Sequence, residues 1–348
     1  MAEEMKTGKR DEGRILQMGG VSPGLLHLIR YLPAFLPFLT SCADEMPAPV
    51  FDTEIVLTKA EGTALASLDL FFYNDDTQKR LDSYQHFSSK TSGTVSAASG
   101  SGKKIVKAVA NCPGRAWPWA EICSVSAIEE MTVLLDDDNP QQPVMSGTCT
   151  IDAGSGQKGS LTLAPLLAEV SLESIRCDFS GRTYSGEQLE DVRVYLTNVC
   201  ASAALFRTSA SASAEFLNLG GLDSLGVTKL KHPEYVFGRL SQTLGEKTVK
   251  PGLRFYCYEN MPYEESAGSP CTKLVIEGTL GGKKVYYPLA IWDLMETPCV
   301  RGNRQYKVNV TLTRRGGSDP DSSLEKGTAN VTVTVAPWTE KEEQYVSF

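Results

Sequence analysis

Toward its end the chain alternates. Tyr306, Val308, Val310 and Leu312 are separated by Lys307, Asn309 and Thr311; Val331, Val333 and Val335 are separated by Thr332 and Thr334. Successive side chains of a β-strand point to opposite faces, so this period of two puts one face on an apolar core and the other in water. A helix would need apolar residues three and four apart, and that spacing is scarce. Its best instance lies in Trp119–Leu135, where Ile122, Val125, Ile128 and Met131 recur at helical intervals before Asp136-Asp137-Asp138-Asn139-Pro140 stops the run. Elsewhere strands prevail: Glu54–Thr58, Leu65–Tyr73, Lys104–Ala110, Leu161–Leu163, Ala168–Leu172 and Val192–Leu196. Lys273–Leu280 and Lys283–Leu289 flank Gly281-Gly282, the pattern of a tight hairpin. Ser88–Lys103, rich in Ser, Gly and Thr, reads as a loop or hairpin tip. The expectation is a mainly β chain of two β-sandwich domains with one short helix in the first. A boundary near Gly159–Pro165 gives an N-terminal domain over 51–163 and a C-terminal domain over 164–348.

The first 42 residues do not read as a domain. An apolar run, Tyr31–Leu39, follows His27 and Arg30 and is too short for a bilayer core, which takes roughly 20 apolar residues. It fits the apolar region of an export signal. Leu39-Thr40-Ser41-Cys42 resembles a bacterial lipobox, in which the Cys becomes the lipidated first residue of the mature protein. Residues 1–41 are therefore expected to be a signal peptide, Cys42 the acylated (palmitate-bearing) residue and 42–50 a tether. Acyl chains on one Cys bury many methylenes at about 0.8 kcal/mol each and anchor a protein firmly. Residues 1–14 are polar for a signal, and a start at Met18 would give a more ordinary one. Ala43-Asp44-Glu45 resembles the acidic signal that sends Bacteroidetes lipoproteins to the outer surface.

The net charge is -8, with no basic tract beyond the leader, so a nucleic-acid partner is not expected. Eight cysteines follow Cys42, none in a CxxC, which disfavours a zinc ribbon; one or two disulfides at most are expected. His27, His86 and His232 are the only histidines, and neither of the last two has an evident nucleophile beside it. Ser99-Gly100-Ser101-Gly102-Lys103-Lys104 lacks phosphate-loop spacing and precedes a strand. Asp136-Asp137-Asp138-Asn139 lacks the spacing of a Ca2+ loop and reads as a solvated turn. Trp117, Trp119, Trp292 and Trp338 are candidates for stacking on sugars, although packing is the plainer reading. No catalytic constellation, metal site or cofactor site emerges, which points to a structural or adhesive role and not to an enzyme.

Several local patterns, in order, resemble the fimbrillin-like proteins of Bacteroidetes. Leu68-Asp69-Leu70-Phe71-Phe72-Tyr73-Asn74 is similar to their second strand, and Val106–Pro113 to a strand ending in an Asn-x-Pro turn. Pro143–Gly147 and Leu161–Val170 resemble the stretch where their two domains meet. Tyr287-Pro288-Leu289, Arg301–Tyr306 and Val331–Trp338 resemble their closing strands. The resemblance covers about 50–338.

That resemblance implies transthyretin-like topology in both sandwiches and a pilus of lipoprotein subunits on the outer membrane. Shaft subunits of this type lose their first strand to an Arg-specific protease, and a neighbour's strand fills the groove by β-augmentation. Here the turn Lys59-Ala60-Glu61-Gly62-Thr63 holds no Arg, and the first Arg after Cys42 is Arg80. The first strand is then expected to stay, as in an anchoring or accessory subunit. The expected assembly residues are Ile55, Val56 and Leu57 in the first strand and Val308, Val310, Val331, Val333 and Val335 in the closing strands. The expected partners are other fimbrial subunits, the outer membrane through the lipid and a host or glycan receptor. The rival reading is a surface glycan-binding lipoprotein, with exposed Trp and Tyr as its platform.

Overall fold

The computed structural model describes residues 50–59, 65–88, 93–113, 119–206, 215–261, 270–291, 300–324, 327–338 and 344–347. The leader, Cys42, the turn 60–64, Trp117, Trp292 and Cys299 lie outside them.

The first strands are β1 (Val50–Lys59), β2 (Ser67–Asn74), β3 (Leu81–Ser88), β4 (Thr94–Gly100) and β5 (Gly102–Ala110). A connecting stretch holds α1 (Val125–Glu129) and β6 (Thr132–Leu134), and β7 (Met145–Ala153) and β8 (Gly159–Pro165) follow. Then come β9 (Leu167–Cys177), β10 (Glu190–Thr197), β11 (Val199–Cys200), β12 (Ser202–Ala204), β13 (Phe216–Leu217), α2 (Ser224–Val227) and β14 (Phe237–Arg239). The last strands are β15 (Leu253–Tyr258), β16 (Lys273–Leu280), β17 (Lys283–Ala290), β18 (Arg304–Leu312), β19 (Ala329–Pro337) and β20 (Gln344–Ser347). The fold is mainly β, as the alternation predicts.

Strands β3-β2-β5-β7-β8-β1-β4 form one continuous sheet that folds over on itself. β7 and β8 pair only at Met145↔Pro165 and Ser146↔Ala164; beyond that, β8 turns to pair in parallel with β1. A Cβ on Gly147 would lie 2.3 Å from the Thr162 carbonyl, so only glycine lets the strands meet where their ladder parts. At the other end the edges β3 and β4 are tied by side chains: Ser83 Oγ donates to the Ala98 carbonyl at 2.7 Å, and the Gly100 N–H donates to Asp82 at 2.7 Å. These bonds cover two edges that would otherwise invite another strand. The space enclosed holds Ile55, Leu68, Leu70, Phe72, Val106, Ala108 and Leu161.

β2 is buried on both faces, which explains its unbroken apolar run. Its other face, with Phe71 and Tyr73, packs under the stretch 119–135 and joins a second core. That core fills the sandwich between β14-β10-β16-β17 and β15-β9-β18-β19-β20. Segment 131–144 stitches the two halves together. β6 pairs with β12, Asp136 accepts from the N–H groups of Lys231 and His232, and Asp138 accepts from Val144 N–H and the Tyr258 hydroxyl.

Three expectations change. The helix read over Trp119–Leu135 reduces to a 3-10 turn at Trp119–Glu121, the five-residue α1, capped by Ser124, and β6. Ile122, Val125 and Ile128 are buried as their spacing implies, but Val133 follows the period of a strand. Thr94–Gly100 is strand β4 and not a loop. Its small inward residues Val95, Ala97 and Ser99 suit the narrow seam, where a Cβ on Gly100 would lie 2.8 Å from Asp82. The acidic turn is not wholly solvated, because Asp138 is buried and burial pushes its carboxyl up to about 6. A second short helix, α2, lies in the C-terminal half; Asp223 caps it. The seven described cysteines Cys112, Cys123, Cys149, Cys177, Cys200, Cys257 and Cys271 are free thiols.

Candidate assembly strands

β1 is the site the sequence singles out, and its alternation determines its place. Thr53, Ile55 and Leu57 point inward and are buried, whereas Asp52, Glu54 and Thr58 face solvent. Val56 is half-buried on the outer face. One edge pairs antiparallel with β4 from Val50↔Gly100 to Val56↔Thr94; the other pairs in parallel with β8 from Ile55↔Gly159 to Lys59↔Leu163. The buried Thr53 hydroxyl is 3.3 Å from that of Ser99, which satisfies both. Ile55 sits over Gly159, where a Cβ would come within 2.6 Å of Ile55 Cδ1 and 2.8 Å of Ile151 Cγ2. Glu54 pairs with Lys158 across the outer surface at 2.5 Å. β1 is therefore a seated interior strand that satisfies open edges on both sides.

The closing strands are placed differently. β18 lies between β9, in parallel, and β19, antiparallel, so neither of its edges is open. Val308, Val310, Val333 and Val335 are buried in the core, and Val331 packs half-buried against it. β19 pairs on its far side with β20 over Thr332–Val335, and β20 forms the margin of that sheet.

The other singled-out residues fall apart from these strands and from one another. His86 Nδ1 lies 2.8 Å from Oδ1 of buried Asp69, the same oxygen that accepts from the Tyr84 hydroxyl at 2.8 Å. His232 stacks on Tyr235 with ring centroids 4.8 Å apart. Lys104 is buried against Asp82 and Asn74, away from any phosphate-binding geometry. Trp119 packs on Phe71 at 5.2 Å, and Trp338 is half-buried against the core, so neither forms an exposed stacking row. Among the described residues no group of three His, Cys, Asp or Glu side chains is arranged to hold a metal.

This is the architecture of a two-sandwich, mainly β protein whose first strand is inserted between strands that follow it in sequence. The sequence matches no family model and no curated protein. Solved structures do share the fold. The fimbrilin FimA of Porphyromonas gingivalis aligns at 16% identity over 83% of this chain and 97% of its own, with a TM-score of 0.60. A candidate cell adhesion protein of Bacteroides eggerthii aligns at 19% identity over 84% and 97%, with a TM-score of 0.62. The C-terminally truncated tip fimbrial protein Mfa3 of Porphyromonas gingivalis aligns at 14% identity over 82% and 100%, with a TM-score of 0.51. The structural neighbours are thus fimbrial and adhesion-type proteins of Bacteroidetes, and the fold is fimbrillin-like.

Proposed function

We propose that this chain is a surface lipoprotein of the outer membrane that serves as a fimbrial subunit, at the anchoring or accessory end of a filament and not in its shaft. The observation that carries this reading is the lack of any Arg between Cys42 and Arg80, which leaves the seated β1 without a site for an Arg-specific cut behind it. β1 pairs on both edges and fills the interior with Thr53, Ile55 and Leu57. A subunit that keeps this strand has a filled groove and takes no donor strand there. Its lipid at Cys42, on the N-terminal side of β1, then stays covalently joined to the folded protein. The likeness of fold to a fimbrilin and a tip fimbrial protein supports a fimbrial role, and the lipobox-like segment supports the anchor.

Its partners are other fimbrial subunits, which add by β-strand pairing. β18 has no open edge, so the C-terminal surface offered to a neighbour is the outer edge of β19, where β20 now lies. The test is the intact mass of the protein recovered from its native outer membrane. A chain beginning at acylated Cys42 with β1 present is the expected result. A chain without lipid beginning after Lys59 would overturn the anchor reading and make this a polymerising subunit. Cys42→Ala is expected to release the protein from membranes, and its retention there would remove the lipid from the account.

A further inference from the structure

The outer face of the four-stranded sheet carries a cleft that strand assembly does not use. β10, β16 and β17 turn Val194, Ile276 and Tyr287 into the core, so the alternate positions face outward. There Arg193 is the cross-strand partner of Glu277, and Glu277 is the partner of Tyr286. The turn 219–224 and Pro320 wall a cavity of about 380 Å³ over this row. Its floor is charged yet buried. The Glu277 side chain is 3% exposed, and Lys284 Nζ and Arg193 Nη1 lie 2.8 and 3.5 Å from its Oε1. The Tyr195 hydroxyl donates to Oε2 at 3.1 Å. Arg193 Nε is a buried donor with no acceptor among the described residues.

Packing does not explain this floor. A buried ion pair adds little or no stability over apolar residues of similar size, and an unmatched buried donor costs free energy. The same face accepts apolar Val275, fully buried two residues from Glu277. The charges also restrict what can bind. Arg193 is paired with Glu277 and Asp191 and Lys284 with Glu277, and Asp223 adds a further carboxylate to the lining, so a strong anion is not matched, and the two cations keep a strong cation away. Asp223 Oδ1 accepts from the N–H groups of Leu225 and Gly226, so the acceptors lining the cavity are Asp223 Oδ2 and the Glu277 carboxylate. A ligand whose neighbouring hydroxyls donate to a carboxylate and accept from a guanidinium and an ammonium satisfies all three. The half-buried ring of Tyr286 and the exposed Leu219 at the rim offer apolar contact to the C–H face of such a ligand. The volume falls at the small end of ligand sites, which run from roughly 300 to 1,000 Å³.

We infer that the cleft formed by Arg193, Glu277, Lys284 and Tyr286 binds a neutral saccharide unit, giving the subunit a receptor site separate from its assembly strands. None of these residues belongs to β1, β18 or β19, so the inference stands whether or not the anchor reading does.

The test is titration of the full chain with the methyl glycosides of glucose, galactose and mannose, read by calorimetry and saturation-transfer NMR, with glucuronate and inorganic phosphate as anionic probes. At least one neutral glycoside is expected to bind with a millimolar Kd. Glu277→Gln and Lys284→Ala are each expected to weaken it by about tenfold or more, the loss of one charge-assisted hydrogen bond. Lys284 is half-exposed, and Arg193 and the Tyr195 hydroxyl still partner Glu277 without it, so Lys284→Ala should lower the melting temperature only in part; with binding compared well below that temperature, it remains decisive even if Glu277→Gln folds poorly. Three results would overturn the inference: no binding of any neutral glycoside, binding unchanged in Lys284→Ala, or preferential binding of phosphate or glucuronate.

Discussion

If β1 is a strand inserted into a groove, it should act as a separable part with a fixed in-and-out pattern. A protease site placed in 60–64 allows its removal, leaving a chain that begins near Leu65. The structure sets the size of the loss. Ile55 is fully buried and Leu57 nearly so, and burying each aliphatic side chain contributes about 1.5–3 kcal/mol. Together they supply about 3–6 kcal/mol, a large share of the roughly 5–15 kcal/mol by which domains are stable. The edges of β4 and β8 lose their backbone partners as well. The cut chain should therefore melt on the order of 10 °C lower, at roughly 2–4 °C per kcal/mol. A synthetic peptide of residues 50–59 should restore the melting temperature in a saturable way, because it returns both backbone pairing and side-chain knobs. The decisive comparison is between two altered peptides. Ile55→Asn puts an amide into the apolar interior and should abolish rescue; Val56→Asn alters the outer face and should leave rescue largely intact. Equal rescue by both peptides, or a cut chain as stable as the whole, would refute the placement of β1.

Gly159→Val should destabilise the protein by about 1–3 kcal/mol, since the new side chain meets Ile55 and Ile151, and chemical denaturation measures it. Phe72→Ala, in the core of the folded-over sheet, should cost about 3–5 kcal/mol in the same assay. Lys104→Met should cost about 3 kcal/mol, because it leaves Asp82 without its ammonium, and the double variant with Asp82→Asn should recover part of that. Asp138 predicts a pH effect of a particular sign. Burial raises its carboxyl from an ordinary 3.8 to about 6, so the folded state holds the proton more tightly than the unfolded chain. Its contribution is complete below pH 4 and is lost as pH rises toward 6. Relative to Asp138→Asn, the wild type should lose about 3 kcal/mol between pH 4 and 7, and a constant difference across that range would refute the burial.

What was legible in the sequence follows from how locally each feature is determined. β18 and β19 bury one face each way, so alternation alone marks them, and Gly281 and Gly282, with φ of +57° and +73°, form the turn that the Gly-Gly pair predicts. β4 was illegible because its residues are small, a property that makes sense only once β3 is known to close against it. The 119–135 stretch misleads for a similar reason. Its apolar residues satisfy helical spacing as far as Ile128, but β12 then captures Thr132–Leu134, an attraction supplied by residues some 70 positions away. Asp138 looks like its solvated neighbours in sequence, and only Tyr258 and Val144 distinguish it.

The same contrast separates the two sites. β1 could be named from its position and the absent Arg, because a strand near the N-terminus needs no tertiary information to be noticed. The cleft of Arg193 and Glu277 left one local trace, charges at alternate places in otherwise apolar strands, which is also what any solvent-facing strand shows. What makes Glu277 unusual is that the turn 219–224 and Pro320 cover it, and that cover is assembled from two distant segments. An assembly strand is a property of one stretch of chain, whereas a receptor cleft is a property of a surface. For that reason the aromatic residues the sequence put forward for sugar binding and the side chains that line the cleft are different residues: Trp119 packs inward on Phe71, while Tyr286 stands beside a buried carboxylate that no local pattern marks.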